Sequence, residues 1–431
     1  MNPWPEAFLA RMAGQLGDEL PAFLRACEEP YQRGVRLNPL KAAHDLPDGI
    51  LEPVPWAAKG FYLAMDARAG AVPLHEAGAW YLQEPSAMLP AAVLNARPGE
   101  TVLDLCAAPG GKSTQLGASM EGEGLLVCNE PVPKRAQVLS RNVERMGIAN
   151  ALVVSAMPDQ LAERWPGGFD AVQVDAPCSG EGMFRRHPET RAEWSPEAAA
   201  GCAKRQAEIL DAAARLTRPG GRMVYSTCTL NPVENEETVE AFLRRHGDFA
   251  LVPFARPGAD APTGMLTCYP HRMRGEGQFV ALLHRAGNAR ASLPPDASLP
   301  RPDKAQLRAW HSFAGADAPA PDRLLGETLA ALPDYPDVRG LRVLRCGLHL
   351  GSVRGKVCQP DHAWAVAVQG PDFPRVPLTE EQAACYLRGE ALAAPEGLRG
   401  WALVTLSGLC LGWVKASDGW MKNHYPKGLR R

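Results

Sequence analysis

Val102-Leu-Asp-Leu-Cys-Ala-Ala-Pro-Gly-Gly-Lys-Ser113 is the stretch whose reading decides the fold. An apolar run of strand type reaches Asp104, then gives way to small residues and the Gly110-Gly111 pair just ahead of a helical pattern. Such a turn lets the backbone come close to a ligand over a helix N-terminus, and a nucleotide-like cofactor is the natural occupant. Lys112-Ser113 imitates a P-loop, but that motif needs a glycine five places before Gly111, where Cys106 stands. ATP hydrolysis is therefore set aside. Alone, the stretch leaves an ordinary strand-to-helix turn open as the alternative; its surroundings decide between the two.

From Tyr81 to Gly287 strands and helices alternate, the pattern of a parallel sheet with helices on both faces. Residues 125–130 form a second strand ending in Glu130, where Rossmann-like folds place a carboxylate for ribose hydroxyls. Pro133 opens a helix with an apolar face of Val138, Leu139, Val143 and Met146, stopped by Gly147. Residues 151–155 and 169–175 are the third and fourth strands, so Asp175 falls at the sheet's ligand-bearing edge. Ser195-Pro196-Glu197 caps a helix that runs to about Thr217 and ends at Pro219-Gly220-Gly221. Residues 222–229 form the fifth strand, Asn231-Pro232-Val233-Glu234 reads as a capping box opening the next helix, and residues 278–284 close the sheet.

Outward from this core, residues 1–75 read as a small α+β module. Phe8, Leu9, Met12, Leu16, Leu20, Phe23 and Leu24 recur at helical spacing, and residues 35–41 follow as a strand. Residues 76–287 are the catalytic domain, and 288–303, with Pro294-Pro295, Pro300 and Pro302, a linker. Residues 304–431 carry short β-rich runs (341–344, 346–350, 364–368, 401–406, 409–414), which suggest a small barrel. The fold class is α/β: a Rossmann-like core between an N-terminal α+β module and a β-rich C-terminal domain.

The 431 residues are 46% hydrophobic and 22% charged, values of a globular protein with ample core rather than a disordered or fibrous one. No signal-type start or run of eighteen apolar residues is present, so a cytoplasmic location is expected. Eleven cysteines without a Cys-x-x-Cys pair argue against a disulfide framework and against a zinc cage, and no metal is expected. A net charge of -2 gives no global sign of nucleic-acid binding, so such a partner must be met by local patches. Between residues 415 and 431 lie Lys415, Lys422, Lys427, Arg430 and Arg431 against Asp418 alone, with His424 and Tyr425 interleaved. A solvated tail is the alternative reading of that stretch.

Most cysteines are inert small hydrophobes. Cys178, in Asp175-Ala-Pro-Cys-Ser-Gly-Glu-Gly182, and Cys228, in Ser226-Thr-Cys-Thr229, differ in standing after strands at the ligand-bearing edge, amid Gly and Pro. Both could converge on whatever lies beside the cofactor.

Residues 103–112, 175–182 and 225–236 together resemble the three signature motifs of the Nol/Nop/Sun family of RNA cytosine-5 methyltransferases. The ending Trp420-Met-Lys-Asn-His-Tyr-Pro-Lys-Gly-Leu429 and the overall length further resemble bacterial members that act on ribosomal RNA. The resemblance implies S-adenosyl-L-methionine as cofactor, a core of that methyltransferase type, a PUA-like C-terminal domain, and a monomer working on 16S ribosomal RNA or the small subunit. Transfer RNA stays open as the alternative substrate. It also implies that Cys228 adds to cytosine C6, that Cys178 handles the proton or product release, and that Asp175 and Lys112 hold the base. Cys106, Ala107, Ala108, Pro109, Gly110, Gly111 and Lys112, with Glu130 and Asp175, would line the cofactor. Relatives commonly have an aspartate after the third strand; here Ser155-Ala-Met-Pro-Asp159 stands instead, so Met157 is expected against the adenine. Phosphate contacts are expected from Arg36, Lys41, Arg185, Arg186, His187 and the basic tail.

Overall fold

The computed structural model describes residues 3–41, 45–295, 298–332, 335–368 and 370–430. At the N-terminus the helical periodicity resolves into α1 (Glu6–Leu16) and α2 (Leu20–Glu28), which bury Phe8, Met12, Leu16, Phe23 and Cys27. Those side chains pack on Phe184 and Leu230 of the catalytic part, so the first helices belong physically to the catalytic loops. An antiparallel sheet follows, formed by β1 (Arg33–Leu37), β2 (Ile50–Pro53), β3 (Gly60–Leu63) and, after the short α3 (Pro73–Glu76), β4 (Trp80–Leu82). Its order is β2-β3-β1-β4. Because Leu37 pairs with Trp80, the module closes only at Leu82, beyond residue 75.

The central part runs α4 (Leu89–Leu94), β5 (Thr101–Asp104), α5 (Gly111–Ser119), β6 (Leu125–Asn129), α6 (Pro133–Arg145), β7 (Ala151–Ser155), α7 (Pro158–Arg164), β8 (Phe169–Asp175), α8 (Pro196–Leu216), β9 (Thr217–Thr227), α9 (Glu236–Arg245), β10 (Phe249–Leu251), β11 (Met265–Cys268) and β12 (Gln278–Arg285). Strands β5 to β9 are parallel, and β12 returns antiparallel to β9. The chain passes from β5 to β6 on one side, whereas β8 lies on the other. That reversal opens a crevice beyond the carboxyl ends of β5 and β8, the place where open α/β sheets bind ligands. The central strands are buried on both faces, as a sheet covered by helices requires. In α6 the buried stripe is Ala136, Leu139 and Val143, continued by Met146; Val138 turns out to solvent. Ser195 caps α8 through Ala198 N, as its sequence indicates.

The C-terminal part contains α10 (Lys304–Ala314), β13 (Arg323–Leu325), β14 (Thr328–Ala331), β15 (Arg342–Cys346), β16 (Leu348–Arg354), β17 (Val357–Pro360), α11 (His362–Val366), β18 (Arg375–Pro377), α12 (Glu380–Arg388), β19 (Leu392–Ala393), β20 (Gly400–Leu406), β21 (Leu409–Ser417) and β22 (Trp420–Asn423). It holds two sheets, β13-β14-β16-β17 and β18-β20-β21-β22-β19. Two readings are corrected. Strand β15 leaves this part to pair antiparallel with β7, becoming an edge of the catalytic sheet. Residues 362–366 form a helix rather than a strand, because Asp361 caps them and all four residues from Ala363 to Val366 are buried. The β18–β22 sheet also shares one apolar core with the N-terminal sheet: Val35, Leu74 and Trp80 pack with Val404, Tyr386 and Tyr425.

Candidate active site

Asp104 and Asp175 end the neighbouring strands β5 and β8, and the polypeptide between Asp104 and α5 folds over the crevice. Leu105 N donates to Gln173 O at 2.9 Å and Ala107 N to Asn129 O at 2.8 Å, which pins the turn to both flanking strands. Gly110 sits at φ +113, and a Cβ there would meet Leu139 at 3.2 Å, so the turn requires glycine. Asn129, fully buried, donates through Nδ2 to Leu105 O and Ala156 O and accepts from Ala156 N. It knits three loops together, a role that only a lone polar residue in an apolar strand could have hinted at.

The cleft above this edge has a volume of about 490 Å³. Cys106, Ala108, Glu130, Asp175, Cys178 and Cys228 all line it, which brings both thiols and the turn to one opening. Met157, Pro158 and Asp159 form its far wall. Met157 is 60% exposed there, whereas Asp159 is engaged by Arg215. Glu130 is buried; it accepts from Val132 N at 3.0 Å and lies 3.5 Å from Arg135. Lys112, Ala107, Pro109, Gly110 and Gly111 belong to the turn and its helix rather than to the cleft lining.

Asp175 is held by three donors. Lys112 Nζ reaches Oδ2 at 2.8 Å, while Ser226 Oγ at 2.8 Å and Gln278 Nε2 at 3.3 Å reach Oδ1. Burial pulls the Lys112 ammonium down, but the Asp175 carboxylate beside it outweighs that and raises it above its ordinary value. Beneath the turn Asp104 accepts Ser113 Oγ at 2.6 Å and keeps Oδ1 unpartnered; burial, reinforced by Asp175, pushes its carboxyl up to about 7.

Cys178 and Cys228 meet at an Sγ–Sγ distance of 3.3 Å. The contact with Cys228, then burial, raises Cys178 well above the ordinary thiol range and holds it protonated. The loops that carry the thiols are joined by Gly182 N to Cys228 O at 2.9 Å and by Ser179 Oγ to Thr229 Oγ1 at 2.9 Å. The capping box expected at Asn231 does not form. Helix α9 begins at Glu236, and Glu234 turns inward to accept Ser179 N and Oγ and Gln206 Nε2.

The expected phosphate contacts divide. Arg36 is buried, donating to Gln83, Gly111 O and Thr114, so it braces the glycine turn. Lys41 donates to Val366 O, and Arg185 is sequestered by Glu276, Ala26 O and Gly275 O. Arg186 lies over the Tyr31 ring, and His187 is exposed beside Glu189. In the tail, Lys415 and Lys422 face each other across β21 and β22, with Trp401 5.5 Å from Lys415 and Trp420 exposed. Arg430 is turned onto Tyr425 O.

A doubly wound sheet, a glycine turn over its switch point and two facing thiols at the cleft define a Rossmann-like methyltransferase of the cysteine-bearing kind. Family models match in the same order: 16S rRNA methyltransferase RsmB/F over residues 91–284, the N-terminal domain of 16S rRNA methyltransferase RsmF over 4–85, its first C-terminal domain over 315–368 and its PUA domain over 373–431. The chain belongs to the ribosomal RNA small subunit methyltransferase F family. It is 35% identical to the Klebsiella pneumoniae (strain 342) member across 99% of this chain and 97% of that one. With the Cronobacter sakazakii member it shares 34% identity across 99% and 96%. Among solved structures, a methyltransferase homologue from Pyrococcus horikoshii is 27% identical with a TM-score of 0.57, covering 65% of this chain and 95% of its own. The NSun6 structure from the same organism, solved with SFG, shares the fold at 19% identity and a TM-score of 0.56, covering 67% and 100%.

Proposed function

We propose that this protein methylates C5 of a cytosine in 16S ribosomal RNA, using S-adenosyl-L-methionine and a transient bond from Cys228 to the base. The observation that carries the reading is the convergence of Cys228, Cys178 and Asp175 on the cleft bordered by the glycine turn. The residues suit the cofactor. The turn from Cys106 to Lys112 would take the methionyl end through Cys106 and Ala108, the two of its residues that line the cleft, with Glu130 at the ribose diol and Met157 at the adenine, within a volume suited to a ligand of that size. When bound, the cofactor supplies an electrophilic methyl group.

The chain's own residues do the rest. Cytosine C5 is a weak nucleophile, so the Cys228 thiolate adds to C6 and its electron pair moves density toward C5. Lys112 spends one of its three N–H donors on Asp175 and can offer another to the base carbonyl as charge develops on the ring. Asp175, immobilised by its three donors, presents its remaining lone pairs to the amino edge of the base. After methylation a water in the open cleft takes the C5 proton, the C5–H pair forms the C5=C6 bond, and the C6–sulfur pair returns to Cys228 as its thiolate. Cys178, 3.3 Å away, is placed to stabilise that departing thiolate by donating its S–H.

The target base must leave its stack to reach the cleft. Residues 1–75 and 304–431 would recognise RNA around it, with the Lys415, Lys422 and Trp420 face of the C-terminal sheet supplying phosphate and stacking contacts. The protein would act in the cytoplasm as a monomer; among the described residues no helix is long and apolar enough to cross a membrane. Bisulfite mapping of ribosomal RNA from cells with and without the gene tests the reading. Loss of one or more 16S cytosine methylations is expected, and unchanged ribosomal RNA with a lost transfer RNA site would redirect it.

A further inference from the structure

The two thiol-bearing loops grip one another reciprocally. Glu181, from the Cys178 loop, reaches across to the Cys228 loop and accepts Leu230 N and Asn231 Nδ2, each at 3.3 Å. Glu234, from the Cys228 loop, reaches the opposite way and accepts Ser179 N at 2.9 Å and the Ser179 hydroxyl. Each carboxylate is braced from outside. Arg11 Nη2 of α1 lies 2.7 Å from Glu181 and Trp194 Nε1 3.0 Å. Gln206 of α8 donates to both Pro177 O and Glu234. Gly182 N donating to Cys228 O closes the ring at the backbone.

Neither carboxylate lines the cleft, so neither touches cofactor or base directly. Both are buried, and burial raises both against the pull of their donors, chiefly Arg11 at Glu181 and Ser179 at Glu234. Burying two acids beside a reaction centre is costly unless every oxygen is used. Here each accepts at least three donors, all but the braces coming from the partner loop. A purely structural need could be met by apolar packing; two acids crossing in opposite directions fix a distance.

We propose that Glu181 and Glu234 are positioning residues that together hold Cys178 and Cys228 at the separation methyl transfer and release require. The proposal rests on the reading of Cys228 and Cys178 given above. Arg11 extends the device to the N-terminal module, because α1 becomes the strut that keeps Glu181 extended.

The test compares the full-length protein with Glu234→Gln, Glu181→Gln and Arg11→Gln. For methylation of 16S RNA, kcat should fall at least about tenfold while KM for S-adenosylmethionine stays within about twofold, the signature of misplaced reacting groups. A second readout needs no activity. With a diazene oxidant the two thiols give up two electrons and two protons, forming one S–S bond as the N=N bond becomes a hydrazine. The rate of that Cys178–Cys228 bridge, followed by mass, should drop about tenfold as one thiol's effective concentration at the other falls. Wild-type kcat and bridging rate in all three variants would overturn the proposal, as would losses of kcat that merely track KM and melting temperature. Should the buried Glu→Gln variants not fold, Arg11→Gln, at a partly exposed position of α1, reads the same grip. If the wild-type protein itself transfers no methyl group, the reading of the site fails, while the bridging rate still judges the clamp.

Discussion

Cys178 Sγ lies 3.3 Å from Cys228 Sγ although the two residues are 50 positions apart in the chain. Two thiols in contact divide one task only if they differ, and they stand on different loops: Cys178 follows β8 beside Asp175, whereas Cys228 follows β9. Cys228→Ser should therefore lower turnover at least about 10³-fold, the scale on which enzymes lose a nucleophile. Cys178→Ser should leave adduct formation intact and slow its release, so that a denaturation-resistant protein–RNA species accumulates on gels. An adduct that forms without Cys228 would reverse the assignment.

Lys112, Ser226 and Gln278 hold the Asp175 carboxylate in place, which the proposed role of that residue in stabilising charge on the base requires. Asp175→Asn should reduce kcat about 10²- to 10³-fold, comparable to losing one preorganised electrostatic contact. Cofactor binding by titration calorimetry should change far less.

Asp104 gives a pH dependence whose sign is fixed. Its carboxyl is raised from 3.8 to about 7 in the folded protein, so the native state holds a proton that the unfolded state has lost. Its contribution is complete below about pH 4, falls as pH rises, and is gone above about 7. Chemical denaturation across pH 4 to 8 should show that decline in the wild type and a flatter profile in Asp104→Asn.

Gly182 and Gly201 make a matched pair. A Cβ on Gly182 would lie 2.6 Å from Gly277 O and 2.8 Å from Cys228 O, whereas nothing lies within 4 Å of one on Gly201. Gly182→Ala should cut activity sharply and lower the melting temperature. Gly201→Ala, in α8, should be neutral in activity and more stable by about 0.5–1 kcal/mol.

Lys415 and Lys422 stand directly opposite across two strands, an arrangement that repels, with Trp401 beside the first. Such repulsion is relieved by a polyanion. Lys415→Ala and Lys422→Ala should each weaken RNA binding and reduce the slope of log K against log salt by about one, and Trp420→Ala should weaken binding with little change of slope.

The centre of the molecule was legible because strand, glycine turn and helix are written in adjacent residues, as Asp104, Gly110 and Gly111 show. Sequence fails where a partner comes from far away. Asn231 to Glu234 has the local form of a capping box, but the donors that claim Glu234 are Ser179 and Gln206, and nothing near residue 234 announces them. Arg36 and Arg185 look like surface cations for the same reason; the carbonyls and carboxylate that bury them belong to other elements. Strand β15 was assigned to the wrong sheet because an apolar run does not say which edge it completes. Cys106, Glu130, Asp175, Cys178 and Cys228 share the cleft because each lies at or just past the carboxyl end of a strand, a position the sequence marks, whereas Arg205, Glu208 and Ile209 reach it from α8 and carry no such mark.

The apolar core shared by the first sheet and the last one has a consequence for synthesis. Val35 and Trp80 are made well before Val404, Tyr386 and Tyr425, against which they pack and which follow Trp80 by about 300 residues or more. At roughly 5–20 residues per second that interval is on the order of tens of seconds, during which the opening segment must stay unfinished beside a growing catalytic sheet. The fold is thus a ring that β18 to β22 close, and a message truncated before codon 370 would yield a product in which the β1–β4 sheet, far from the cut, is left without its cover.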